Sequence, residues 1–322
     1  MKNYINTFNN IKSKWNNFNS KENNKKIRIR DVAKKLNVSE AELLSTKVND
    51  DVSYLKIKNY NLFFKDILNS DKLMFLIRTD NIVHELIVDS SYIDIKKNSF
   101  FDLKQNFPIL EFNSKSFSYT FFEKKNHSGK ELRSFQIFNK SGHSVLKIYL
   151  KGKSTYIFDR IAKKYTIEYD YIIQKNKHKF FVDSNKIEIF SFFKTDYNLD
   201  AKFALDKQIN LGNNTLRYIL EKSSAKKVPI QIHAFGNTII QYYRGKVNNV
   251  IDFGPWINII DKGFNIHIFE SKITNAFLNK YTDNNNTLFV INFFDIDNNH
   301  VLGISPIRDY EKELNKIIDS LI

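Results

Sequence analysis

The sequence has no cysteine and, in 322 residues, only nine glycines, four prolines and two methionines. Without cysteine there is no disulfide framework, no Cys-ligated zinc or iron–sulfur site and no thiol nucleophile. Nothing argues for an oxidising compartment. So few glycines leave little material for a phosphate cradle, and no P-loop, GxGxxG, GxSxG or HExxH pattern occurs. No apolar run approaches the ~20 residues of a membrane span. Met1 to Ser20 alternates Asn and Lys with scattered apolar residues and lacks the continuous apolar stretch of a secretory signal. These absences set the expectation of a soluble intracellular protein. The 42% hydrophobic content can fill a core, which excludes wholesale disorder.

Acidic residues are also in short supply: 35 against 50 basic ones, for a net charge of +15. Such a balance usually prompts a nucleic-acid or membrane-surface reading. Only eight of the basic residues are arginine, however. Nucleic-acid readers favour the planar, bidentate fork of Arg. Lys, Asn, Ile, Phe and Tyr, abundant here, are the residues that A+T-rich codons supply. The charge therefore reads mainly as a solvated lysine surface.

The first clear element is helical, with apolar residues at 29, 32, 33 and 36. Asn37-Val38-Ser39 breaks it, and Ser39 with Glu42 forms a capping-box pattern for a second helix. The pair resembles a helix-turn-helix, but its second helix opens on Glu40 and Glu42, which phosphates would repel. A structural pair is expected. From residue 72 onward, short Phe/Ile/Val/Tyr runs separated by Asn, Asp, Ser and Gly read as antiparallel strands. The runs are 73–77, 82–88, 116–122, 134–138 and 145–150, then 230–233, 238–243, 264–269, 287–294 and 301–304. Residues 155–200 read as irregular, and helical patterns recur at 215–222, 272–279 and 310–322.

The two sets of strands repeat. Asn81-Ile82-Val83 matches Asn237-Thr238-Ile239, and Phe138 with Val145–Ile148 matches Phe294 with Val301–Ile304, each 156 residues later. Phe117–Phe122 is set against Phe264–Phe269, 147 residues later. Two degenerate copies of one α+β unit account for this, and a cleft between copies is a natural ligand site.

Seven histidines are available, none in metal-site spacing. Asp295/Asp297 and Asp283 fall in predicted turns, where Asx turns explain them. His84 and His267 sit in apolar strands as expected hydrogen-bonded core histidines. His178, in Lys177-His178-Lys179-Phe180-Phe181, lies in the segment linking the copies. A histidine among aromatics there could ligate a planar metallocofactor; the plain alternative is a loop histidine beside two core phenylalanines.

Several stretches carry a resemblance to the haem-utilisation proteins called hemin-degrading factor or haemin transport protein (the HemS/HmuS/ChuS family). Ile27–Val48 (IRIRDVAKKLNVSEAELLSTKV) resembles the family's opening helical pair. Val83-His84-Glu85 resembles its "VHE". Ser134–Tyr149 (SFQIFNKSGHSVLKIY) is similar to its "SIQFFD..G.ALLKVY" hairpin, and Trp256–Phe277 (WINIIDKGFNIHIFESKITNAF) to "WLN…..F.LHL.E..I..AW". Leu216–Val247 keeps the family's order of helix, strand and "GN…Q…G.V". The match covers most of residues 27–308.

The resemblance implies an α+β fold of two tandem homologous halves, each a large antiparallel sheet with helices, and a haem cleft between them. The division is a polar extension at 1–26, a first half at 27–175, an interdomain segment at 176–200 and a second half at 201–322. The resemblance further implies a cytoplasmic haem-binding protein for haem trafficking and iron acquisition after import, with haem degradation open. Haem is ligand or substrate; the partners are the importer, an electron donor for any degradation, and a second copy in a homodimer. It implies no stable nucleic-acid partner and no membrane span. His178 aligns as the iron ligand, with Glu188 as the alternative. Arg308 and Lys280 are the surviving propionate candidates, and Lys202 adjoins a family arginine position that is Ala201 here. Glu111 stands where the family has its distal arginine, and the family's C-terminal tyrosine falls near Ser305. A carboxylate at Glu111 disfavours ordinary haem binding, so a degenerate member with weak or no haem binding is one alternative. A basic nucleic-acid or anionic-surface binder is the other.

Overall fold

The computed structural model describes residues 2–20, 27–96, 98–127, 129–168, 204–212, 214–236, 238–282 and 287–321. The chain is α+β, its strands lie in two large antiparallel sheets, and it forms two compact units that interleave in sequence. Met1–Phe75 and Asn113–Phe180 make the first; Leu76–Phe112 and Phe181–Ile322 make the second.

In the first unit the strands hydrogen-bond in the order β1 (Val52–Leu55), β7 (Phe117–His127), β8 (Lys130–Asn139), β9 (Ser144–Leu150) and β2 (Lys72–Arg78), whose last residues enter the second unit. One face receives α2 (Ile29–Lys35) and α3 (Glu40–Ser45), where Ala41 and Leu44 pack on Phe121 and Phe138. The expected capping box is present: the Ser39 amide donates to Glu42 Oε2 at 2.7 Å, and Ser39 Oγ accepts from the Glu42 amide at 3.1 Å. Every residue of α3 is buried, so it has no face to offer a DNA groove. The α2–α3 pair is structural, as its acidic start suggested. Gly142 lets α3 come close; its φ is +75° and a Cβ there would meet Ser39 Oγ at 2.2 Å. The polar N-terminal stretch also has structure. α1 (Lys2–Asn19) buries Trp15 against Val32 and Leu43. On the sheet's other side lie α4 (Tyr60–Leu68) and α5 (Thr155–Tyr165), with Phe63 edge-on to Phe135 and Phe158 tilted against it.

The second unit contains a complete nine-stranded sheet. Its order is β10 (Ala204–Asn210), β16 (Ile273–Thr282), β17 (Thr287–Asp295), β18 (His300–Pro306), β11 (Ile230–Gly236), β12 (Ile239–Gly245), β6 (Phe107–Phe112), β5 (Ser99–Asp102) and β4 (Ile93–Lys96). β3 (Ile82–Asp89), β15 (Phe264–Phe269), β14 (Trp256–Asp261) and β13 (Val250–Phe253) pair in that order. Two helices complete it: α6 (Thr215–Ala225) and α7 (Glu311–Asp319), joined by a Tyr218–Ser320 hydroxyl hydrogen bond of 2.8 Å.

Three sequence expectations need correction. Of residues 272–279, only Lys272 is helical, closing a 3-10 turn over Glu270–Lys272; the rest begin β16. A β-bulge between Ile273 and Asn275 resets the alternation, so Ile273, Ala276 and Phe277 mimic a helical period. Residues 155–165, read as irregular, are α5, which buries Phe158, Ile161 and Ala162 on one side. Finally, Phe117–Phe122 does not correspond to Phe264–Phe269. By sheet position and register its counterpart is Ile273–Leu278, 156 residues later like the other matches, while β15 holds the place equivalent to β6. Each copy's three-stranded meander pairs beside a strand of the other copy: β6 on β12, and β15 on β3.

Candidate functional site

The nine-stranded sheet of the second unit has two unlike faces. Residues paired across neighbouring strands share a face. Ile209, Leu278, Ile291, Ile304 and Ile232 therefore line one side and are apolar. On the other side stand Asn292, Gly303, His233 and Tyr242, with Ser305 and Gln231 two residues along their strands and Glu111 of β6 paired with Ile240, two residues from Tyr242. This face is polar and buried: Gln231 and Ser305 are 0% exposed, His233 1% and Asn292 3%.

Buried polar groups need partners, and most here have one. His233 Nε2 and Ser305 Oγ are 3.0 Å apart, and Gln231 Nε2 donates to the Pro306 carbonyl at 2.6 Å. Tyr242 donates its phenolic proton to Glu111. Asn279 Nδ2 donates to the Tyr281 hydroxyl at 3.2 Å. Asn292 Oδ1 and His300 Nε2 are buried without a hydrogen-bond partner. His300 is stacked on Phe235 at 3.7 Å and on Phe294 at 4.7 Å. Gly303 lets these groups approach closely, since a Cβ there would lie a crowded 3.2 Å from both Asn292 Oδ1 and His233 Nδ1. Desolvation lowers His233 and His300 to pKa values of about 3, so both imidazoles are neutral at physiological pH. Burial and the Glu111 carboxylate push Tyr242 well above 10, so it stays a donor.

The internal repeat supplies a control. In the first unit the positions equivalent to Asn292 and Gly303 are Gln136 and Lys147, cross-strand partners in the same register. There the polar groups close on each other. Lys147 binds Glu40 of α3, and Gln136 Nε2 donates to Glu123 Oε2 at 2.7 Å. In the second unit, a glycine with no side chain to offer and an Asn292 Oδ1 without a partner stand at those places.

The structure brings some sequence candidates together and separates others. Glu111 and Ser305 share the polar face. Arg308 is exposed and follows β18 at the end that carries Ser305. Lys280 is on the opposite, apolar face, in an ion pair with Asp206 at 2.6 Å. Glu111 and Lys280 therefore do not line one pocket. His178, Glu188, Lys202 and Asp283 lie outside the described residues. His267 is the expected hydrogen-bonded histidine, 2.6 Å from Asn258 Oδ1. His84 is buried as expected, but neither ring nitrogen has a partner. Asp295 makes the expected turn, accepting from the Asp297 and Asn299 amides at 3.1 and 2.8 Å. Sequence reasoning missed His233, Asn292 and Gly303. The available signal was Gly303 standing opposite Lys147 in the repeat. Among the described residues no cluster of three or more His, Asp or Glu side chains suits a metal ion, and no helix is long and apolar enough to cross a membrane.

The chain is thus a duplicated α+β fold whose two sheets differ in how their polar faces are satisfied. The sequence matches the haemin-degrading HemS.ChuX domain over residues 37–165 and 201–313, and the chain belongs to that family. Among solved structures, the Escherichia coli O157:H7 heme degrading enzyme ChuS superposes with a TM-score of 0.81. It is 19% identical, over 97% of this chain and 99% of that one. The heme-binding protein PhuS of Pseudomonas aeruginosa, in its holo form, gives a TM-score of 0.79 at 18% identity, over 95% and 97%. A comparison with curated protein sequences found no match. The two-half fold is therefore shared along the full length. The buried polar face and its unpartnered Asn292 and His300 atoms leave hydrogen-bonding capacity for a ligand. The Glu111 carboxylate, already taken by Tyr242, supplies no cation to it.

Proposed function

We propose that this chain binds haem and serves its trafficking and utilisation. The observation that carries the reading is the asymmetry of the repeat: Gln136 and Lys147 have side-chain partners in the first unit, whereas in the second Asn292 Oδ1 and His300 Nε2 are buried without one. Family membership and the folds shared with ChuS and PhuS support haem as that partner. In this reading the polar face of the second unit holds the macrocycle near Gly303, and His178 is the axial ligand, with Glu188 the alternative. A neutral imidazole is a standard haem iron ligand. Arg308 and Lys202 are the propionate partners, because cation–carboxylate pairs are charge-assisted. Lys280, on the other face, is left out. Tyr242 holds the Glu111 carboxylate hydrogen-bonded, which limits its repulsion of an anionic ligand. The bound haem supplies iron and conjugated-ring chemistry; the chain's residues bind, orient and exclude water. Receipt of imported haem places this work in the cytoplasm.

Haemin titration of the full chain, followed in the Soret region, tests the reading. Wild type is expected to shift the band and saturate at one equivalent, and His178→Ala to lose that shift. A band that survives His178→Ala overturns the ligand assignment. No shift with wild type overturns haem binding.

A further inference from the structure

The groove lined by Lys280 lies between β10, β16, β17 and α7, and its volume is about 380 Å³. That is at the small end of the range for ligand pockets, roughly 300–1,000 Å³. Its floor is apolar, made by Ile209, Leu278, Phe289 and Ile318.

The first unit contains the equivalent groove 156 residues earlier in the chain, between β1, β7 and α5. It is bridged shut. Asp159 Oδ1 and Oδ2 accept from Arg133 at 2.9 and 3.1 Å, and Lys124 lies 3.7 Å from the same carboxylate. Both ends of that bridge differ in the second unit: Phe289 stands for Arg133, and Asn315 for Asp159. Lys280, the counterpart of Lys124, turns to Asp206. Asn315 Oδ1 is left buried without a partner. At the rim, Lys207 and Asp319 have no ion-pair partner among the described residues.

One unspent cation, one unspent carboxylate and one orphaned buried acceptor thus surround an apolar floor. A ligand that answers all four carries a carboxylate, an ammonium and an apolar body. We propose that this groove binds a free α-amino acid with a large apolar side chain. Its carboxylate pairs with Lys207, its ammonium donates to Asn315 Oδ1 and Asp319, and its side chain rests on Leu278 and Phe289. The proposal is independent of haem binding, which uses the other face of the sheet.

Amide chemical shifts of the full chain titrated separately with L-phenylalanine and L-leucine test it. At least one is expected to move Leu278 and Phe289 saturably in the millimolar range or below. Its analogues lacking the ammonium or lacking the carboxylate should each bind at least about tenfold more weakly, since each loses a charge-assisted contact. Asp319→Ala, an exposed position, is expected to weaken binding by a similar factor. Phe289→Arg combined with Asn315→Asp rebuilds the first unit's bridge and is expected to abolish binding, with thermal unfolding reporting that the variant is folded. No saturable shift with either amino acid overturns the proposal. So does equal affinity for the analogue without the ammonium, or unchanged affinity in Asp319→Ala.

Discussion

His84 gives the sharpest test of how the buried polar groups are held. It is 0% exposed, stands edge-on to Phe264 at 5.2 Å, and has no partner for either ring nitrogen. Desolvation lowers its pKa from 6.5 to about 3. The folded state therefore favours the neutral ring, while the unfolded chain takes up a proton below pH 6.5. The group's stabilisation is complete above pH 6.5 and is lost as pH falls towards 3. At pH 5 the loss is about 1.5 pH units at 1.36 kcal/mol each, or ~2 kcal/mol. His233 and His300 have the same shift, so the three together remove ~6 kcal/mol at pH 5, comparable with a typical domain's whole stability. In His84→Leu the acid-linked loss should shrink by about a third, ~2 kcal/mol, between pH 7.5 and 5. At pH 7.5 the variant should be no less stable, because it removes two buried unpartnered nitrogens. Urea unfolding at the two pH values measures both quantities. An identical pH loss in variant and wild type would refute the reasoning.

Lys147→Met strands the Glu40 carboxylate in the core and should cost about 3–5 kcal/mol in urea unfolding, whereas Glu40→Leu with Lys147→Met should recover most of it. Gly142→Ala forces a Cβ against Ser39 at a positive φ and should lower stability by about 1–3 kcal/mol, read as a fall in Tm. Glu111→Gln keeps an acceptor for Tyr242 but removes a negative charge from the polar face, so haemin Kd should fall severalfold; a rise would place the ligand elsewhere.

The opening helical pair was legible because Ser39 and Glu42 carry their signal in two side chains. Most strands were legible from Phe/Ile/Val runs bounded by turns. What was hidden depended on register. The bulge at Ile273 disguised β16 as a helix, since a strand that resets its alternation shows no period of two. The pairing of β6 with β12 and of β15 with β3 has no local signature, because edge strands of either copy satisfy the same backbone donors and acceptors. Lys280 and Glu111 could be named as candidates from aligned motifs, but their facing required the strand order. Lys147 against Gly303 was visible in the repeat as a mismatch; its meaning came only with Glu40 beside the lysine and Asn292 beside the glycine.

Paramagnetic broadening tests the central claim, that the second unit's polar face holds haem. Backbone amides are compared in the chain loaded with ferric haem and with a diamagnetic zinc porphyrin. The account predicts selective broadening of Gly303, Asn292 and Ser305, with their first-unit counterparts Lys147, Gln136 and Tyr149 unaffected. Broadening centred on Lys147 and Gln136, or none at Gly303 in the haem-loaded protein, would contradict it.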